Sequence, residues 1–108
     1  MIKATIYRNS QNEYTGFSCN GHAGFAENGK DIICSAVSIL AINTVNSIEL
    51  LTTSDIKINE VVQLEFEFVK TPDEKAILLM DSLKLGLESI QKEYGKKFLI
   101  LEEKIKEV

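Results

Sequence analysis

VQLEFEFVKTPDEKAILLMDSLKLGLESIQKEYG, residues 62–95, changes its hydrophobic period partway along. Val62, Leu64, Phe66 and Phe68 alternate with Gln63, Glu65 and Glu67, the two-residue period of a strand with one buried face. Further on, Ala76, Leu79, Met80, Leu83, Leu87, Ile90 and Tyr94 fall three and four apart, as on one side of an α-helix. Between them Thr71, Pro72, Asp73 and Glu74 read as a capping box with Pro72 at the first helical position. Gly95 suits the C-terminal cap, where left-handed backbone costs glycine little. A strand leading directly into a long helix excludes an all-α or all-β fold.

The same reading extends outward in both directions. IKATIY, residues 2–7, alternates Ile2, Ala4 and Ile6 against Lys3, Thr5 and Tyr7. Turn residues 9–12 then lead into EYTGFSCNG, so a β-hairpin is expected, with Phe17 and Cys19 on one face of its second strand and Ser18 and Asn20 on the other. Asp31 is a good N-cap, which makes Ile32, Ile33 and Cys34 the first three residues of a helix running to about Leu51. That helix is apolar around most of its surface and is expected to be covered on more than one side. DIKIN, residues 55–59, is a short strand, and FLILEE, residues 98–103, a last one. The order ββαββαβ gives a single α+β domain spanning residues 1–108, a mainly antiparallel sheet packed with two helices.

The chain has 108 residues, 44% hydrophobic and 26% charged, which fits one globular core. A net charge of −4 argues against a dedicated nucleic-acid binder, which needs a cationic face, and favours a basic protein or peptide as partner. Residues 32–48 carry no charge, but their Ser, Thr and Asn content reads as a buried helix rather than a membrane span. Two cysteines without disulfide-dense spacing point to a reducing cytoplasm and to Cys19 and Cys34 as thiols.

GHAGFAENGKDIICSAVS, residues 21–38, holds the only histidine, His22, and one of the two cysteines, Cys34. A thiol in the first helical turn faces open N–H groups and the positive end of the macrodipole, a setting that favours thiolate and supplies donors for an oxyanion. His22 is twelve residues upstream, across a glycine-rich loop made of Gly24, Phe25, Ala26, Glu27, Asn28 and Gly29. The loop is expected to be mobile, long enough to bring His22 over the helix start, and to act as a lid. Asp31 either orients His22 or only caps the helix, and Ser38, four residues after Cys34, either joins the site or bonds back to the preceding turn. The plainer reading of Cys34 is a small buried hydrophobe. Zinc held by His22, Cys19 and Cys34 matches no structural spacing and lacks a fourth ligand, so neither metal nor cofactor is expected.

GHA followed, after a short glycine-bearing loop, by GKDIICSAVS resembles the signature of the bacterial ribosomal-processing cysteine protease family (Prp). The His-to-Cys separation, the Asp three before the Cys and the Ser four after it all agree, while Ile33 and Ser35 stand where valine and alanine are commoner. The resemblance implies a cytoplasmic, homodimeric cysteine endopeptidase that removes a short N-terminal extension from a basic large-subunit ribosomal protein. It implies Cys34 as nucleophile, His22 as base, Asp31 and Ser38 in support, and Gly21 shaping the strand end. Neither a membrane nor a direct nucleic-acid partner is expected, on the charge and on the polar content of residues 32–48. The competing readings are a ribosome-assembly binding module without catalysis and a different thiol enzyme, such as an acyltransferase or a redox sensor.

Overall fold

The structure is a computed structural model that describes residues 1–20, 30–60 and 64–107. It contains the elements β1 (Ile2–Arg8), β2 (Tyr14–Asn20), α1 (Lys30–Leu51), β3 (Ile56–Asn59), β4 (Leu64–Phe68), α2 (Glu74–Tyr94) and β5 (Leu99–Ile105), the expected ββαββαβ order. The strands form one five-stranded sheet ordered β3-β4-β2-β1-β5. All pairings are antiparallel except that of β5, which lies parallel to β1 after the α2 crossover.

The β1–β2 hairpin is set by its turn. The Asn9 side-chain carbonyl accepts from the backbone N–H of Gln11 (2.9 Å) and Glu13 (3.0 Å), and Asn12 takes φ 64°, a left-handed position that Asn tolerates. The register pairs Ile6 with Phe17 and Ala4 with Cys19, and β2 in turn pairs Phe17 with Phe66 and Cys19 with Leu64. Period-two alternation therefore places Ile6, Phe17, Phe66 and Cys19 on one sheet face, and the Phe17 and Phe66 rings meet at 5.8 Å between centroids. Because β2 is the central strand, its residues from Tyr14 to Ser18 are all buried, polar Thr15 and Ser18 included.

Helix α1 packs Ile33, Val37, Ala41, Val45 and Ile48 into the core. Buried Thr44 satisfies its hydroxyl by donating to the Leu40 carbonyl at 2.7 Å. The charge-free run is thus a core helix, but it is covered on one side only, contrary to the sequence expectation. Ile39 is 66% exposed and Leu50 82%, with Ile32 and Ile42 also open, because the sheet and α2 take up only one side of the helix. Helix α2 buries Ala76, Met80, Leu83 and Leu87 as its periodicity predicted, while Leu79 and Ile90 pack only partly and Tyr94 is exposed. Each fully buried side chain of this size contributes about 1.5–3 kcal/mol.

The start of α2 lies two residues further on than the capping box suggested. Asp73, not Thr71, is the cap, and Pro72 lies outside the helix. The Asp73 carboxylate accepts from the Ala76 N–H at 2.8 Å and from both the backbone N–H (3.2 Å) and hydroxyl (2.8 Å) of Thr53, so it ties the helix start to the end of α1 as well. Those hydrogen bonds, the one from Ala76 foremost, hold its carboxyl at about 2, below the usual 3.8. At the other end Gly95, with φ 96°, donates its N–H to the Gln91 carbonyl at 2.8 Å, as the sequence predicted.

Candidate active site

The described elements nearest the sequence signature are the C-terminal end of β2 and the N-terminal end of α1. Asn20 closes β2 two residues before His22, and α1 opens at Lys30. Gly21, His22 and the loop residues Gly24, Phe25, Ala26, Glu27, Asn28 and Gly29 lie outside the described residues, as does the side chain of Asp31.

Helix α1 begins one residue before Asp31, so Asp31 is helical rather than the cap that its residue type suggested. An acidic residue in the first turn still complements the positive end of the helix. Cys34 becomes the fifth helical residue instead of the third, just past the turn that carries the open N–H groups. Helical Cα–Cβ bonds tilt toward the N-terminus, which directs the Cys34 thiol back along that turn. Cys34 is half-buried and packs against the core beside Ile33, whereas Ser35 and Ser38 are exposed. Of the residues proposed to support the thiol, Ser38 thus sits one turn on, toward solvent.

The other cysteine of the chain is Cys19. Strand parity put it with Phe17, and there it is, partly buried on the face that meets the helices. Burial, followed by the electrostatic influence of Cys34, pushes the Cys19 thiol up to about 11. Strand parity along β2 thus places Cys19 correctly. Among the described residues no group of three or more His, Cys, Asp or Glu side chains could hold a metal ion.

A half-buried thiol at a helix start, aimed along open amides, is suited to nucleophilic attack on a carbonyl, since the amides meet the negative charge that develops on its oxygen. Solved proteins share this frame. The chain superposes on an essential ribosomal processing protease Prp from S. aureus in complex with a substrate peptide, with a TM-score of 0.87 and 27% identity over 95% of this chain and 99% of that one. The S. aureus protease with a covalently linked product peptide gives 0.83 and 28% over the same shares. The ribosomal processing cysteine protease Prp of Bacillus subtilis (strain 168) is 32% identical over 101 residues, 87% of this chain and 90% of the relative. That of Staphylococcus aureus (strain Mu50) is 30% identical over 98 residues, 88% and 92%. The chain is a cysteine protease. A family model described as Cysteine protease Prp matches residues 1–98, and the chain belongs to that family.

Proposed function

We propose that this chain is a cytoplasmic endopeptidase that removes a short N-terminal extension from a large-subunit ribosomal protein, with Cys34 as nucleophile and His22 as its base. The observation that carries the reading is the placement of Cys34 on the opening turns of α1, twelve residues after His22 in the sequence. A covalently linked product, as in the S. aureus relative, is what a nucleophilic mechanism leaves behind.

The Cys34 sulfur attacks the scissile carbonyl carbon, and the carbonyl oxygen becomes an oxyanion beside the first-turn amides of α1. As the tetrahedral species collapses, the C–N bond breaks and the leaving amine takes a proton from His22. Neutral His22 then draws a proton from water, whose oxygen attacks the thioester and releases Cys34 as thiolate. Asp31 and Ser38 support the pair, and Gly21 shapes the strand end. The net charge of −4 suits a basic substrate.

The enzyme works as a homodimer in this reading, and the uncovered stripe of α1, with Ile32, Ile39, Ile42 and Leu50, is the surface best suited to a second copy.

The test incubates the protein with the ribosomal protein precursor and reads intact mass, beside Cys34→Ala and His22→Ala variants. Loss of one defined N-terminal fragment with wild type alone is the expected result. Cleavage that persists in Cys34→Ala, or no cleavage by a folded wild type, overturns the assignment.

A further inference from the structure

Helix α1 carries two stripes that face opposite ways. Ile33, Val37, Ala41, Val45 and Ile48 are buried in the core, whereas Ile32, Ser35, Ile39, Ile42 and Asn46 lie open on the far side. The open positions, with Glu49 after them, succeed one another at steps of three, four, three, four and three, the spacing of a coiled-coil seam. No charged residue falls among residues 32–48. Helix α2 offers no such seam, since its exposed Leu78 and Leu85 are parted by Asp81 and Ser82 and followed by Glu88.

The α1 seam is complementary to itself in one direction. About a two-fold axis passing between positions 40 and 41, Ile39 faces the partner's Ile42 and Ser35 faces the partner's Asn46. Ile32 then faces the closing turn of the second helix, where Leu50 is 82% exposed. Apolar positions meet apolar ones, and the two polar ones can hydrogen-bond to each other. A parallel pairing would set Asn46 on Asn46 and Glu49 on Glu49. It would also bring together two negative helix ends that have no basic residue in the last turn.

We propose that two copies pair antiparallel through α1 in this register, and that the closing turn of the partner's helix flanks the substrate at Cys34. The proposal rests on the dimeric protease reading and adds to it a register and a shared site. The 22-residue helix is about 33 Å long, so a pairing centred between positions 40 and 41 brings the partner's Leu50 level with Ile32, two residues from Cys34. Cys34 is not a seam position, so the pairing borders the thiol without covering it.

To test the register, Ser35→Cys and Asn46→Cys are made separately in a Cys19→Ser, Cys34→Ser background. The two are mixed, refolded together from urea, treated with a short bis-maleimide, and read by intact mass and peptide mapping. The expected product joins position 35 to position 46 and forms in the mixture but with neither variant alone, because two copies of position 35 stand about 16 Å apart along the axis. A link between two copies of position 35, or no link in the mixture, overturns the register. Ile39→Glu, which loads two carboxylates onto the centre of the seam, is expected to sediment as a folded monomer and to lose about tenfold or more in kcat/KM, mainly through KM. Leu78→Glu, on α2, keeps both the dimer and the activity. A dimeric Ile39→Glu, or a monomeric wild type whose open stripe would then serve a membrane or another protein, overturns the pairing. A monomeric Ile39→Glu with wild-type activity overturns the partner's place at the site. The link is read by mass in a chain without Cys34, so the expected link beside an inactive wild type would condemn the protease assignment and leave the pairing standing.

Discussion

Replacing Gly16 by Ala forces a methyl group into the backbone of the neighbouring strand. A Cβ on Gly16 falls 2.6 Å from the Phe66 carbonyl oxygen and 3.3 Å from Glu67 Cα, and real Cβ atoms essentially never come closer than 3.0 Å. The strands must part by at least 0.4 Å, the difference between 3.0 and 2.6. No side chain can rotate to relieve this, because the obstacle is the main chain of β4 at the point where Gly16 pairs with Glu67 and Phe17 with Phe66. Overpacking of this kind costs about 1–3 kcal/mol, and the loss of glycine's freedom in the unfolded chain returns about 0.5–1 kcal/mol. The net destabilisation is about 1.25 kcal/mol at the middle of those ranges, or roughly 5–10 °C in Tm at about 4–8 °C per kcal/mol. Urea unfolding followed by far-UV circular dichroism measures it, with Gly86→Ala as the contrast. There the nearest atom is Leu40 Cδ1 at 2.9 Å, the movable end of a side chain, and helix propensity returns about 1 kcal/mol, so Gly86→Ala should be close to neutral. A Gly16→Ala midpoint at or above wild type with an unchanged slope would refute the reasoning.

Leu83→Ala empties a fully buried position on α2 and should cost about 2–5 kcal/mol in the same assay; a loss below about 1 kcal/mol means the site is not packed as described. Asp73→Ala removes the cap of α2 and its tie to Thr53, so its urea midpoint at neutral pH should fall. Because the folded carboxyl sits at about 2 against 3.8, its stabilisation is present above 3.8 and is lost as pH falls from there toward 2; the gap between wild type and Asp73→Ala should therefore close across that window, and a gap constant with pH contradicts the cap assignment. Cleavage of a basic ribosomal substrate should lose kcat/KM as salt rises, and equal values at low and high ionic strength remove the electrostatic argument.

Where the fold was legible, it was through strong periodicity. Leu64 to Phe68 and the Ala76, Met80, Leu83, Leu87 stripe each repeat one period long enough to name the element and its buried face. The errors fell at element starts, where several residues are chemically able to cap. Thr71 and Asp73 both carry suitable oxygens, and Asp73 is favoured by its contacts to Thr53 and Ser54, eighteen and seventeen residues before Thr71. Asp31 shows the same ambiguity at α1. The α1 surface misled for another reason, since composition reports that a helix is apolar all round but not how much neighbouring structure there is to cover it. That Cys34 lies at the start of α1 was readable from its helix and from the family signature, whereas its place as the fifth residue depends on where α1 begins, which residue type alone does not fix.

The parallel pairing of β5 with β1 orders events in time. Ile2 and Leu99 are register partners although 97 residues apart in sequence, 99 minus 2, whereas β1 finds β2 within one tight turn. The hairpin can assemble at once, but the other side of β1 keeps a row of amides paired only with water until a segment 97 residues further along the chain arrives to meet it. During that interval the nascent chain presents a ready template for strands of other molecules. Closing so long a loop is also the slowest kind of contact to make, which makes docking of β5 the natural rate-limiting event in folding.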